Sequence, residues 1–161
     1  MNNVTSLSAL DVSKFFIWKA KSEGRAITNK KLQKLLYYAQ AWSMVFDNKP
    51  LFKEDIEAWI HGPAIKNVYD RYKIFGFNYI DEDISDKEVN KLSSNKLLDS
   101  IWTTYGKYDA QYLEELTHSE EPWQLARQNL ETNESSNNVI SLENMKIFYS
   151  KLLKEISVQE K

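Results

Sequence analysis

Apolar residues recur at helical spacing along most of this chain of 161 residues. The clearest repeat follows Thr28, where apolar positions return every three or four residues and so fall on one face of a helix. These positions are Leu32, Leu35, Leu36, Ala39, Trp42 and Phe46. The turn-forming run Asp47–Pro50 then ends the pattern. We therefore predict one long helix after Thr28.

Shorter stripes with the same spacing predict helices before and after the long one. They comprise Val12, Phe15, Phe16 and Ala20; Ile65, Val68, Tyr69 and Tyr72; Val89, Leu92, Leu97, Leu98, Ile101, Trp102 and Tyr105; Tyr112, Leu113 and Leu116; Trp123 and Ala126; and Leu142, Met145, Phe148, Tyr149, Leu152 and Ile156. Ser8, Asp109 and Ser141 precede three of these stripes and are suitable N-caps, because their side-chain oxygens accept from free helical N–H groups. Pro63 and Pro122 are expected in first turns, where the N–H that proline lacks has no helical partner.

Strand signals are weak in this chain. In the segment 51–60, Ile56, Ala58 and Ile60 occupy alternate positions, as in a short strand. The run FGFNYIDED, residues 75–83, combines a glycine with alternating aromatic residues and predicts a turn or a short extended piece.

These patterns predict an all-α fold, a single compact multi-helix domain spanning residues 1–161. The predicted fold allows for one minor element, a short β-hairpin or extended segment around 51–60 and 76–81. The polar run 131–138 is expected to form a mobile loop. The last residues, 157–161, are expected to fray.

Composition narrows the function classes. Hydrophobic residues make up 42% of the chain and aromatic residues 13%, which is enough for a core. A net charge of -2 does not favour tight non-specific binding to nucleic acid, which needs many cations. The absence of cysteine excludes disulfides and thiolate chemistry and fits a reducing cytosol. Because no apolar run matches a signal peptide or a membrane span, we expect a cytoplasmic protein without membrane contact.

The two histidines, His61 and His118, are the candidates for enzyme chemistry. A general base needs a proton within hydrogen-bond reach and a group that orients it, and the sequence shows neither. Neither histidine stands in a metal-binding helix pattern, and the chain has no glycine-rich phosphate loop or nucleophile elbow. We predict that the protein is not an enzyme and uses no metal or cofactor. An enzyme built on the two histidines is one alternative.

Three lysines raise the alternative of DNA binding. The run GRAITNKKLQKLL places Lys30, Lys31 and Lys34 near a helix start after a glycine turn, which superficially resembles a helix-turn-helix. The helix continues with a heavy apolar stripe, as a core helix does, so a solvated basic face is the simpler interpretation. A phage-associated regulator that binds DNA through these lysines is the alternative function.

Five Trp and nine Tyr are many for one small domain. Trp42 and Trp102 lie on apolar stripes and are expected in the core. A second set lies beside glycine, proline or histidine and comprises Trp59, Tyr69, Tyr72 and Trp123. Because Tyr and Trp offer large contact area and a polar group at low entropic cost, this second set suits a protein-binding surface. Core packing is the alternative for it.

Three blocks of the chain, in this order, resemble the Panacea domain, whose members are also described as SocA-like or GepA-like phage-associated proteins. The blocks are ITNKKLQKLLYYAQAW (Ile27–Trp42), PLFKEDIEAWIHGPAIKNVYDRY (Pro50–Tyr72) and LTHSEEPWQLAR (Leu116–Arg127). The family pattern falls on Leu32, Lys34, Leu35, Tyr37, Trp59, Gly62, Pro63, Val68, Tyr69, Leu116, Thr117, His118, Pro122 and Trp123. The chain departs from it at Lys30, His61, Ala64 and Lys66. A partner surface shared in detail with the family is therefore not expected.

The resemblance implies a mostly helical antitoxin of a toxin–antitoxin pair, without enzymatic activity. Family members accompany many unrelated toxins; some hold the toxin directly, and at least one delivers it to a cytosolic protease. Longer relatives carry an added helix-turn-helix region, for which this chain is too short. The expected function is neutralisation of a cognate protein toxin by direct binding, with a protease or chaperone as a further partner; a homo-oligomer also fits. The candidate partner-binding residues are Trp59, His61, Gly62, Pro63, Tyr69, Tyr72, His118 and Trp123.

Overall fold

One long helix runs through the middle of the protein, and most other elements pack against it. In the computed structural model, which describes residues 7–159, the helices are α1 (Ala9–Ser22), α2 (Asn29–Phe46), α3 (Lys66–Tyr72), α4 (Lys96–Tyr105), α5 (Ala110–His118), α6 (Glu121–Ala126) and α7 (Leu142–Gln159). The strands β1 (Glu57–Trp59) and β2 (Gly62–Ala64) form an antiparallel hairpin. Two short 3-10 helices span Lys73–Phe75 and Asp86–Val89. The predicted all-α class with one minor hairpin is confirmed.

The central helix α2 is buried on nearly all sides. It contacts α1, α4, α5 and α7 as well as β2 and α3. Its apolar stripe is buried as predicted, except that Phe46, the last residue of the helix, is 60% exposed where α2 leaves the bundle. The predicted solvated basic face is wrong, because Lys31 and Lys34 are buried beneath the surrounding elements.

The predicted helix starts are confirmed where a cap and its target lie three residues apart. The Ser8 side chain accepts from the backbone of Asp11 at 3.0 Å. Asp109 Oδ1 accepts from Tyr112 at 2.8 Å, and the Ser141 side chain caps α7. Local sequence is sufficient here because each cap satisfies an otherwise free N–H in its own first turn.

The predicted helix from Val89 to Tyr105 is wrong in its first half. Val89 ends a short 3-10 helix, and α4 begins only at Lys96. Asn95 Oδ1 accepts from Leu98 N at 2.9 Å and so caps α4. The apolar spacing continues across the break because Leu92 is buried without being helical.

The C-terminal third contains a segment without helix or strand, residues 131–138, followed by α7. Its expected mobility stays a prediction, although the buried Arg127 donates to several of its backbone carbonyls. The helix α7 continues to Gln159, so residues 157–159 of the expected frayed tail are helical. Residues 160–161 lie outside the described part of the chain. No helix within residues 7–159 is long and apolar enough to cross a membrane.

Candidate functional site

The hairpin formed by β1 and β2 is closed by the two-residue loop Ile60–His61. Trp59 pairs with Gly62 across the ladder, and Ala58 pairs with Pro63. The φ of Gly62 is 108°, a backbone conformation that glycine adopts far more readily than other residues. The Gly-Pro pair therefore lets the chain reverse directly after the exposed loop.

The prediction that Pro63 opens a helix is wrong, since it lies in β2 and α3 begins only at Lys66. The Ala58 N–H donates to Asn138 O at 2.8 Å, and Ala58 O accepts from Arg127 Nη1 at 2.9 Å. Both backbone groups of Ala58 thus face away from β2. The ladder therefore needs no N–H from Pro63, and proline is tolerated in this strand.

Lys34 lies beneath the hairpin and is only 2% exposed. Its Nζ donates to Pro63 O at 3.1 Å, which ties the second turn of α2 to β2. Burial lowers the pKa of Lys34 from 10.5 to about 7, and the nearby Glu114 carboxylate opposes this shift. The charge of Lys34 is therefore held at a substantial desolvation cost.

Glu114 of α5 joins a lysine and a histidine at the edge of the hairpin. Its carboxylate forms an ion pair with Lys30, and its Oε2 lies 3.1 Å from His61 Nδ1. Partial burial raises the pKa of Glu114, but the bonds with Lys30 and His61 outweigh this effect and leave the pKa below its usual value. His61 is thereby oriented while its side chain stays 75% exposed.

The second histidine packs behind the hairpin. The His118 ring stacks on Trp123 with centroids 3.9 Å apart, and the Trp123 indole N–H donates to Trp59 O at 2.9 Å. Burial lowers the pKa of His118, which favours the neutral ring in this stack, although Glu114 opposes the shift. His118 therefore supports the hairpin from behind.

Two aromatic side chains form one wall of the site. The rings of Trp59 and Tyr69 meet edge to face with centroids 5.1 Å apart. The Trp59 indole N–H donates to Glu57 Oε1 at 2.7 Å, and Tyr69 O accepts from Asn29 Nδ2 at 3.2 Å. Core packing, the alternative for Tyr69, does not hold: this residue is 39% exposed, because only one face of the short helix α3 is covered by the bundle.

These groups surround an open cleft of about 390 Å³ between the start of α2, the hairpin, α3 and the segment 135–137. The lining residues are Lys30, Gln33, Lys34, Trp59, Ile60, His61, Gly62, Ala64, Tyr69, Ser135, Ser136 and Asn137. Its volume lies within the range of ligand-binding pockets in proteins. The cleft combines aromatic surface with two lysines and one exposed imidazole.

The structure brings half of the predicted partner-binding residues to this cleft. Its lining includes Trp59, His61, Gly62 and Tyr69, whereas Pro63, His118 and Trp123 support the hairpin from within. Tyr72 is fully buried, so it does not belong to a surface. Sequence reasoning missed the contributions of Gln33 and of the segment 135–137, which reach the cleft only through tertiary packing.

The arrangement offers little to DNA binding or to histidine chemistry. Lys31 Nζ donates to Gly106 O at 2.6 Å and Lys34 Nζ to Pro63 O, so both ammonium groups are used inside the protein. His61 lines the cleft but His118 does not. Within residues 7–159, no group of three or more histidine or acidic side chains is placed to hold a metal ion.

The sequence of this region places the chain among known proteins. Residues 32–124 match the model of the family described as Antitoxin SocA-like, Panacea domain. This chain belongs to that family. The match covers more than half of the chain, includes all three resembling blocks in whole or in part, and spans the hairpin, α3 and α5. The resemblance predicted from those blocks is therefore confirmed.

One curated relative is Antitoxin SocA of Caulobacter vibrioides (strain NA1000 / CB15N), which is 36% identical over 75 residues. The aligned part amounts to 47% of this chain and 40% of the relative, so the match spans less than half of that protein. No solved structure matches the chain. The segment 135–137, which lines the cleft, lies outside the stretch matched by the family model.

Proposed function

We propose that this protein is the antitoxin of a toxin–antitoxin pair and neutralises a protein toxin by binding it directly at the cleft. Membership in the Antitoxin SocA-like family is the observation that carries the antitoxin role. Eight of the twelve residues that line the cleft lie within the family-matched segment, which supports its use as the binding site.

The aromatic wall supplies the binding energy in this proposal. Trp59 and Tyr69 are accessible yet held by each other, and the Trp59 indole is fixed further by Glu57. Aromatic side chains that are already ordered lose little entropy on binding, which is why they dominate protein–protein contacts. A toxin segment that covers both rings would gain their apolar area without reordering the hairpin.

His61 tunes the choice of toxin in this proposal. It occupies the exposed loop of the hairpin, departs from the family pattern, and is oriented by Glu114. A side chain in this exposed loop can contact the partner without affecting the core. Different residues at this position would therefore select different toxins while the fold stays the same.

Neutralisation follows from occlusion of the toxin's working surface in the cytoplasm, and the antitoxin itself performs no catalysis. Delivery of the complex to a protease or a chaperone would leave the cleft contact unchanged and would use a second surface.

Co-expression with the protein product of the neighbouring gene tests the proposal. The antitoxin should restore growth, and the two proteins should purify together. Tyr69→Ala should weaken the complex at least tenfold, whereas the matched control Tyr112→Ala should not. Tyr112 is similarly exposed at 47% and also contacts another ring, that of Tyr108, but it does not line the cleft. Failure of both rescue and association would overturn the antitoxin role, and equal losses from the two variants would overturn the cleft.

A further inference from the structure

Three large apolar residues are exposed in the segment that follows α3, residues 74–79. Phe77 is 98% exposed, Ile74 is 83% exposed and Tyr79 is 64% exposed. We call this group the apolar tip. Solvent-exposed apolar residues are common singly, but several large ones within one short segment are characteristic of a contact surface.

The apolar tip is presented by an anchored turn. Asn78 N donates to Phe75 O at 2.9 Å inside the turn, and Ile80 N donates to Ile27 O at 2.9 Å at its base. Phe75 packs against the core and Ile80 is only 2% exposed. Because both ends are fixed, the tip can be covered by a partner at a small cost in backbone entropy.

A run of acidic residues borders the apolar tip. This acidic flank consists of Asp81, Glu82, Asp83 and Asp86. Lys21 is shared between Asp81 and Asp83, at 3.6 and 3.2 Å, and Arg71 pairs with Glu82. Lys21 and Arg71 thus pair with three of the four carboxylates, while Asp86 Oδ1 accepts from the Trp18 indole N–H at 2.7 Å. The side chains of Asp81 and Asp83 are almost fully exposed. The acidic flank, counted together with Lys21 and Arg71, therefore carries net negative charge.

The apolar tip and the cleft are linked through the start of α2. Thr28 forms a backbone bridge with Tyr79 of the tip, and the next residue, Asn29, donates to the backbone oxygen of Tyr69 at the cleft wall. The two surfaces thus border the same end of α2. A single partner that covers the cleft can extend onto the tip.

We propose that the apolar tip and the acidic flank form a second part of the toxin-binding surface and dock into an apolar pocket of the toxin that is bordered by basic side chains. This inference rests on the proposed function, and charge complementarity favours the toxin over a second copy of this chain. A two-fold contact through the tip would bring two acidic flanks together, and like charges at an interface disfavour association.

The test compares Phe77→Ser with Ile147→Ser in the full-length protein. Ile147 is 57% exposed on α7 and serves as a control for the loss of an exposed apolar side chain. Binding to the purified product of the neighbouring gene is measured by biolayer interferometry. Phe77→Ser should raise the Kd at least tenfold, and Ile147→Ser should change it less than twofold. Equal melting temperatures for the two variants show that folding is not responsible.

A double variant, Asp81→Asn with Asp83→Asn, tests the acidic flank separately. It should lower the association rate constant several-fold at low salt and flatten its salt dependence. If Phe77→Ser binds the toxin as tightly as wild type while Tyr69→Ala binds it more weakly, this inference is overturned and the proposed function is not. A change from dimer to monomer in Phe77→Ser with unchanged toxin binding also overturns it, in favour of a second copy. If the wild-type chain binds no neighbouring product, this inference falls together with the proposed function.

Discussion

Lys34 occupies the space into which a side chain at Gly62 would project. A Cβ added at Gly62 would lie 2.5 Å from Lys34 Cε and 3.2 Å from Thr117 Oγ1. Glycine is therefore favoured at this position for two reasons, its φ of 108° and the close approach of a buried lysine. The central helix and the hairpin meet at this contact, which forms part of the cleft.

Replacement of Gly62 by alanine should destabilise the protein more than the same change at Gly24. Gly24 also has a positive φ, 71°, but a Cβ there would meet nothing within 4 Å. We expect the free energy of unfolding to fall by about 1 kcal/mol for Gly24→Ala and by about 2–3 kcal/mol for Gly62→Ala, because the second change adds a clash to backbone strain. Urea denaturation measures both. Equal losses would mean that the Lys34 side chain simply moves aside.

The buried Lys34 should make stability rise with pH in the mildly alkaline range. Its folded pKa of about 7 lies below the usual lysine pKa of 10.5, so between these values the unfolded chain binds more protons than the folded one. The free energy of unfolding therefore increases with pH across this window. Lys34→Met lacks this titrating group, so its stability should not rise with pH for this reason. The free energy of unfolding of the variant minus that of wild type should therefore decrease between about pH 7 and about pH 9. Parallel pH profiles from urea titrations would contradict the burial of a charged Lys34.

Local signals predicted the helix starts, whereas the hairpin required contacts that are distant in sequence. Ser8 and Asp109 cap helices through N–H groups only three residues away. Pro63, in contrast, suits both a helix start and a strand without a ladder N–H. The contacts that decide between them come from Lys34 and Asn138, which no local pattern connects with Pro63.

The candidate site was predicted in part, for a similar reason. Aromatic and glycine signals identified Trp59 and Tyr69, but helical spacing placed Tyr69 and Tyr72 on the same buried stripe. The bundle covers only the side of α3 that carries Tyr72. The apolar stripe of α2 favours a solvated face for Lys34, but this lysine is buried by the elements packed around α2. Such burial is rare for lysine and depends on contacts that the local sequence does not show.

Glu120 should lower the free energy of unfolding at neutral pH, and this effect should be smaller in mild acid. Its Oε1 accepts from the hydroxyls of Tyr38 and Tyr149, each at 2.8 Å. Burial raises the pKa of Glu120, although the two tyrosine bonds oppose the shift. The folded state thus holds the proton more tightly than the unfolded state, and stability falls as pH rises from the usual carboxyl pKa to the raised one.

Glu120→Gln removes this charge and keeps an acceptor for the tyrosines. At about pH 7 we expect the free energy of unfolding of Glu120→Gln to be at least that of wild type and up to about 1 kcal/mol higher. This difference should shrink as the pH is lowered toward about 5. Glu120→Ala leaves two buried hydroxyls without this acceptor and should lose about 2–4 kcal/mol. The lowered pKa of His118 makes its own contribution to stability rise with pH. This contribution is present in wild type and in both variants, so it cancels in the comparison. A Gln variant that is markedly less stable at both pH values would show that the carboxylate charge itself stabilises the network.

Arg127 should control the order of the segment 131–138. It is 5% exposed, and its guanidinium lies over the Trp123 ring at 5.1 Å. Its Nη1 donates to Ala58 O in the hairpin, while Nη2 reaches the backbone oxygens of Glu131, Thr132 and Glu134. One planar group therefore fastens the segment to the hairpin.

Arg127→Lys keeps the charge, but a single ammonium group cannot donate both to the hairpin and to the backbone oxygens of the segment 131–138, as the planar guanidinium does. We expect a loss of about 2–4 kcal/mol in the free energy of unfolding. Amide hydrogen exchange in residues 131–138 should become at least tenfold faster than in wild type, while α7 changes only through the lower global stability. Since residues 135–137 line the cleft, toxin affinity should fall in parallel with the loss of protection. Unchanged exchange in 131–138 would show that the carbonyl bonds of Arg127 do not order the segment.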